Sequence, residues 1–352
     1  MKLIHGGDVA GYEAEYGTRP LDYSANINPL GLPDGVRRAV IDALDQADAY
    51  PDPLCRKLRG AIAQAEQAAP GHILCGNGAA DLIFRLVLAA RPRHALVTAP
   101  TFAEYEQALA LVDCRVTRHF LLEKENFALT ERFLAALQPD VDMVFLCNPN
   151  NPTGQVIKPA LLQKIVGICR ENGTRLVVDE CFNAFLDEPG KNTVKPLLEA
   201  NPHLLVLKAF TKLYAMAGIR LGYCLCADEA LLEQMARCGQ PWGVSSLAQA
   251  AGVAALAEQD YVQRTRVLIA RERGWMRQAL AAQKQRVLGS AANYIFFQTD
   301  TPDLGEKMRR CGVMIRSCAN YPGLDGSWYR CAVRSHEENV RMIEALKRAR
   351  TL

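Results

Sequence analysis

Short apolar runs, each stopped by turn residues and followed by a helical pattern, recur through the first two-thirds of the chain. His72-Ile73-Leu74-Cys75 runs into Gly76-Asn77-Gly78, and residues 79–90 then place Leu82, Ile83, Leu86 and Val87 at helical spacing. Ala95-Leu96-Val97 leads through Pro100-Thr101-Phe102 into a helical stretch over 103–112. Met143-Val144-Phe145-Leu146-Cys147 breaks at Asn148-Pro149-Asn150-Asn151-Pro152-Thr153-Gly154. A helix is predicted from Pro159, with Leu161, Leu162, Ile165, Ile168 and Cys169 on one face. Apolar runs at 176–178 and 204–207 complete the set. Strands apolar on both faces, alternating with amphipathic helices, predict a mostly parallel sheet covered on both sides. Beyond about residue 235 the pattern changes. Helical stretches over 245–258 and 261–282 give way to short alternating strands at 293–298, 313–316 and 329–333. The chain therefore reads as an N-terminal arm (1–25), a large α/β domain (46–239) and a smaller α+β domain built from 26–45 and 240–352.

Charge narrows the function classes. Lys and Arg total 41 against 38 Asp and Glu, a net charge of +3, so no overall basic footprint for nucleic acid is present. No apolar stretch approaches the roughly 20 residues that span a bilayer, and the first residues lack the apolar core of a signal peptide. A soluble, cytoplasmic protein without membrane or nucleic-acid partners is expected. The 12 cysteines lie mostly inside apolar runs, as small buried hydrophobes do. Cys224-Leu225-Cys226 lacks a second pair or a nearby His at zinc spacing, so no metal is expected.

The polar residues that interrupt the pattern fall at strand ends, where open parallel sheets bind ligands. Gly76-Asn77-Gly78-Ala79-Ala80-Asp81 joins a strand to a helix and offers backbone N–H groups and a dipole end to an anion. Such a turn is as readily structural. Asp179-Glu180 directly follows a buried run, which suits a functional carboxylate or a helix cap equally. Phe210-Thr211-Lys212 follows another, ahead of Ala217-Gly218-Ile219-Arg220-Leu221-Gly222-Tyr223. A desolvated Lys there could act as a nucleophile, and Arg220 could hold a phosphate.

Taken together, Asn-Pro-Asn-Asn-Pro-Thr-Gly at 148–154, Asp179-Glu180, Thr211-Lys212 and Gly-Ile-Arg-Leu-Gly-Tyr at 218–223 resemble the fold-type I aminotransferase superfamily. The resemblance implies an aspartate aminotransferase-like fold and pyridoxal 5′-phosphate as cofactor. Lys212 would attach to the cofactor and later move a proton. Asp179 would pair with its pyridine nitrogen, and Asn151 with its phenolic oxygen. Arg220, Thr211 and the amides of Gly78, Ala79 and Ala80 would hold its phosphate, and Phe102, with Tyr105 as second choice, would stack on its ring. Tyr50 would reach the partner subunit's site, which implies a homodimer. Two positions depart from the common pattern: Phe182 stands where many members have Tyr, and Ala209 lacks a hydroxyl that often helps hold phosphate.

Three further segments bear on the reaction. They are His5-Gly6-Gly7-Asp8, Ser24-Ala25-Asn26-Ile27-Asn28-Pro29-Leu30-Gly31, and the C-terminal stretch carrying Arg316-Ser317-Cys318-Ala319-Asn320-Tyr321-Pro322-Gly323-Leu324-Asp325 and Tyr329-Arg330-Cys331. They resemble the branch of the superfamily that removes CO2 from L-threonine O-3-phosphate in cobalamin synthesis, a close relative of the histidinol-phosphate aminotransferases. By that similarity His5, Asn26, Asn151, Arg316 and Arg330 bind the substrate. Two arginines can give bidentate, charge-assisted bonds to a phosphate dianion. Arg334 could be a third cation of that site or the structural partner of an acid. The alternatives are the same chemistry on L-serine O-phosphate, giving ethanolamine phosphate, and histidinol-phosphate amino transfer. Phe182 fits the decarboxylating branch better.

Overall fold

The computed structural model describes residues 5–352. Its thirteen strands are β1 (Leu21–Asp22), β2 (Ile73–Gly76), β3 (His94–Ala99), β4 (Arg115–Phe120), β5 (Met143–Cys147), β6 (Arg175–Asp179), β7 (Leu204–Ala209), β8 (Gly222–Cys226), β9 (Arg286–Leu288), β10 (Tyr294–Gln298), β11 (Val313–Met314), β12 (Arg316–Ser317) and β13 (Trp328–Ala332). Seven of them form one sheet in the order β2-β8-β7-β6-β5-β3-β4. Only β8 runs against its neighbours.

The continuous apolar runs follow from this placement. Along β5, Val144 and Leu146 join one buried cluster while Met143, Phe145 and Cys147 join the cluster on the other face. Leu176 and Val178 of β6 divide from Val177 in the same way. Both faces are dry, so the period-two alternation of a half-exposed strand is absent. Helices cover the sheet. Ala79–Ala90 and Pro159–Asn172 lie where the apolar spacing places them, and Gln259–Ala282 begins two residues before the predicted stretch.

Two strands of this seven-stranded sheet escape the apolar-run reading. The edge strand β4 is largely exposed and carries Arg115 and Arg118, charges of the kind that keep an edge from pairing with another chain. β8 is wholly buried, but its residues read as the tail of the Gly-Ile-Arg-Leu-Gly-Tyr motif.

A second sheet, β12-β13-β10-β9, is antiparallel, and β1 pairs with β11 in a two-residue ladder. The predicted strand over 313–316 is divided at Ile315 between β11 and β12, which belong to different sheets. In the β12–β13 ladder Arg316 stands directly opposite Arg330.

Candidate active site

The strand ends converge because of register. Cys147, at the end of β5, pairs with Asp179 at the end of β6, while Ala209 and Gly76 both pair with Gly222. The residues just past β3, β5, β6 and β7 thus share one edge, and the reversed β8 brings Arg220 to it from the opposite direction. The pocket at this edge is walled by Ala79, Ala80, Phe102, Asn151, Asp179, Thr211, Lys212 and Arg220. His5, Asn26, Arg316 and Arg330 line it too. All the residues expected from sequence are therefore here except Gly78, which backs the wall, and Tyr50. Tyr50 lies outside this chain's own pocket, 80% exposed and stacked on Trp242 at 4.4 Å.

Gly78 opens the helix Ala79–Ala90 at φ +84°, and no side-chain bond from this position caps the helix. A Cβ at Gly78 would come within 2.7 Å of Arg220 Nη2, and one at Gly222 within 2.6 Å of the Ala79 nitrogen. Backbone N–H groups, a helix dipole and a guanidinium therefore meet in a space that only glycine leaves open. Arg220 itself sits at φ +62° and donates from Nη1 to the Ala217 carbonyl at 3.1 Å. Strained backbone of this kind collects at functional sites.

Lys212 lies in the short helix Phe210–Leu213, and its carbonyl accepts from the Asn28 N–H at 3.2 Å. Asn28 Nδ2 also donates to the Leu213 carbonyl at 2.7 Å. Burial pulls the Lys212 amine down to about 8, with the charges of Arg330 and Arg220 acting in the same direction. Asp179 is buried, and burial raises its carboxyl above the usual range. Tyr105 Oη donates to Asp179 Oδ2 at 2.7 Å, and the Cys181 N–H donates to Oδ1 at 2.9 Å. Tyr105 is thus committed to the carboxylate and stacked on Phe145 at 4.8 Å, which leaves Phe102 as the half-buried aromatic of the pocket wall. Glu180 is structural: it accepts from Thr193 Oγ1 at 2.7 Å and the Val194 N–H at 2.9 Å.

Arg330 is buried and donates to Asn151 Oδ1 at 2.5 Å and to the Ser24 carbonyl at 2.7 Å. Its guanidinium lies 5.6 Å from the Tyr294 ring centroid. Arg316 donates to Asn320 Oδ1 at 2.8 Å and lies 5.4 Å from the Tyr321 ring. Asn26 Oδ1, Arg330 Nε and Glu104 Oε2 are buried without a partner among the described residues, and all three residues line this pocket. Asn26 and Arg330 thus keep hydrogen-bonding capacity that a bound anion or water can take up. Arg334 is a structural partner, bonded to Glu338 Oε1 at 2.6 Å. The sequence reading assigned no role to Glu104, Tyr321, Cys181 or Asn28, although Tyr321 and Asn28 lie in segments it singled out. Among the described residues no cluster of His, Cys, Asp and Glu could hold a metal. Nor is any helix long and apolar enough to cross a membrane. All 12 cysteines are free thiols.

A mixed seven-stranded sheet that carries a buried lysine and a buried aspartate on neighbouring strand ends, beside an open helix N-terminus, defines the aspartate aminotransferase-like fold. The chain belongs to the class I and II aminotransferase family, whose model matches residues 18–346. It is 40% identical to the threonine-phosphate decarboxylase of Salmonella typhimurium, over 99% of this chain and 96% of that protein. A histidinol-phosphate aminotransferase of Desulfitobacterium hafniense is 35% identical, over 92% of this chain and 89% of its own length. Among solved structures, the histidinol-phosphate aminotransferase of Clostridium acetobutylicum superposes with a TM-score of 0.88 at 27% identity, covering 94% of this chain and 99% of that one.

Proposed function

We propose that this protein is a cytoplasmic, pyridoxal 5′-phosphate-dependent decarboxylase. It converts L-threonine O-3-phosphate to (R)-1-amino-2-propanol O-2-phosphate for cobalamin synthesis. The observation that carries the substrate class is the pairing of Arg316 with Arg330 across two antiparallel strands. Two guanidinium groups set directly opposite one another on the pocket wall can grip one anion with charge-assisted bonds from both sides. A phosphate dianion, with Asn26 and His5 beside it, suits that grip. The 40% identity with a threonine-phosphate decarboxylase supports the choice of reaction.

The pocket suits the cofactor. The space that Gly78 and Gly222 leave at the helix end fits a phosphate, with Arg220 and Thr211 at its side. Asp179 would face the pyridine nitrogen, Asn151 the phenolic oxygen and Phe102 the ring. When bound, the cofactor supplies an electron sink for the pair left behind when a bond at the substrate Cα breaks.

The chain's own residues then decide which bond that is. Arg316 and Arg330 fix the substrate by its phosphate, so the carboxylate is not held where an aminotransferase would hold it. The Cα–carboxylate bond breaks, CO2 leaves, and the electron pair remains with Cα until a proton replaces it. Lys212, with its amine pulled down to about 8, can carry that proton near neutrality. Tyr105 and the Cys181 N–H hold Asp179 in place from both of its oxygens. The protein acts as a homodimer, with Tyr50 extending to the partner's cofactor; its exposure in the single chain supports this.

Purified protein loaded with pyridoxal phosphate is assayed for CO2 and phosphoamine from L-threonine O-3-phosphate and L-serine O-phosphate in turn. The expected result is rapid CO2 release with kcat/KM higher for the threonine ester. Preference for the serine ester would move the product to ethanolamine phosphate. No CO2 from either, with amino transfer from histidinol phosphate to 2-oxoglutarate, would overturn the decarboxylase reading.

A further inference from the structure

The pocket wall contains five basic groups: His5, Lys212, Arg220, Arg316 and Arg330. Under the reading above, Lys212 and Arg220 serve the cofactor, and Arg316, Arg330 and His5 serve the substrate phosphate. None of the five is left for the substrate carboxylate. His5 Nε2 lies 2.9 Å from Glu104 Oε1. The arm that carries His5 is pinned in place. Gly7 donates its N–H to Ser24 Oγ at 2.7 Å, and a Cβ on Gly6 would come within 2.4 Å of the Ser24 carbonyl oxygen.

Glu104 opens the helix Glu104–Ala110, two residues past Phe102, and its side chain is largely buried. Oε2 is buried and has no hydrogen-bonding partner among the described residues. The carboxylate lies close enough to Lys212, Asp179 and Tyr321 to act electrostatically on all three. A pocket made for a phosphorylated amino acid thus holds a buried acid with one oxygen uncompensated. Among the described residues of this wall, every basic group is assigned to the cofactor or to the phosphate.

We infer that Glu104 is a specificity-determining residue of the reaction, placing negative charge against the substrate's α-carboxylate, for which the described residues of the wall leave no cation. This rests on the decarboxylase reading. The α-carboxylate loses its charge when it leaves as CO2, and the electron pair of the broken bond stays at Cα and is quenched by a proton. Repulsion from Glu104 is therefore present before the bond breaks and relieved as it breaks, which raises the ground state and not the transition state. The same charge disfavours 2-oxo acids, the co-substrates that amino transfer requires.

Glu104→Gln keeps the shape and removes the charge. It is compared with wild type for kcat and KM on L-threonine O-3-phosphate, and for competitive inhibition by the product phosphoamine, which lacks the carboxylate. kcat is expected to fall about tenfold, within what ground-state strain supplies, and KM is expected to fall with it, the pattern that marks relief of such strain. Affinity for the phosphoamine should stay within about twofold, because that ligand lacks the carboxylate on which the repulsion acts and keeps the phosphate contacts of the substrate. Glu104→Asp, which restores the charge, should return both parameters toward wild type. A rise in KM together with weaker phosphoamine binding would assign Glu104 a role in shaping the pocket and overturn the inference. Unchanged kcat and KM would also overturn it while leaving the decarboxylase reading intact. That reading fails separately if wild-type protein releases no CO2.

Discussion

Lys212 was legible from sequence only as one of a set, with Asn-Pro-Asn-Asn-Pro-Thr-Gly at 148–154, Asp179-Glu180 and Gly-Ile-Arg-Leu-Gly-Tyr at 218–223, that resembles the fold-type I aminotransferases. Its chemistry depends on what surrounds it. A surface lysine stays charged to about 10.4, whereas burial and two guanidinium groups bring this one to about 8. The neutral, nucleophilic form therefore accumulates as pH rises toward 8. The rate at which cofactor-free protein takes up pyridoxal phosphate covalently should climb from about pH 6 and level off above about 8.5. A rate still climbing at pH 10, followed by absorbance, would assign the attachment to an ordinary lysine. Arg330 shows the same dependence on surroundings. Its fork contacts Asn151 and the Ser24 carbonyl together, which a point charge does not reproduce. Arg330→Lys should lower kcat/KM by about a hundredfold, near the 2–5 kcal/mol of a truncated buried charge contact. Cofactor affinity, measured in parallel, should hardly change. The partners of these residues were not legible. Tyr105 meets Asp179 across 74 positions, and Asn28 holds the Lys212 turn from 185 positions away. No local pattern encodes contacts at such separation.

Elements whose apolar runs are continuous and whose ends carry Gly or Pro were read nearly to the residue. The helix Ala79–Ala90 begins after Gly78, Pro159 opens the helix Pro159–Asn172, and β5 stops before Asn148. The losses have physical causes. β4 is a charged edge, β8 is a buried strand written in motif residues, and the break at Ile315 separates strands that pair with different partners. The Gly78 turn is where element geometry becomes function. Its φ of +84° with ψ of 165° is glycine territory, and a side chain there costs about 1–3 kcal/mol in backbone strain. Gly78→Ala should also push on Arg220, so the dissociation constant for pyridoxal phosphate should rise by at least about tenfold. The cofactor-free protein should lose only the strain energy in a denaturant titration. Equal losses in both measurements would make the turn structural alone.

At the scale of the whole molecule, the aromatic pair Tyr50–Trp242 lies exposed beside the groove formed by residues 47–51 and 245–247. In the proposed homodimer Tyr50 completes the partner's site, which predicts complementation between subunits. Tyr50→Ala and Lys212→Ala proteins should each be nearly inactive. Dissociated and reassembled together, they should recover about a quarter of wild-type activity, because half the dimers are mixed and each mixed dimer has one intact site. No recovery, in a preparation shown by mass to contain mixed dimers, would place Tyr50 in its own subunit's machinery.

The sequence by itself determined the class of fold, through apolar periodicity and turn chemistry, and singled out Lys212, Asp179 and two C-terminal arginines through their resemblance to a family's motifs. Only the tertiary structure decided that Arg316 and Arg330 face one another, because strand register is a property of two segments at once. It likewise decided that Glu104 is buried with an unpartnered oxygen and bound to His5. On the helix pattern alone, Glu104 was one more acid in a first turn, where the dipole favours such residues. Burial and proximity are set by everything packed around a side chain, and so the pocket's charge balance appears only when distant segments are brought together.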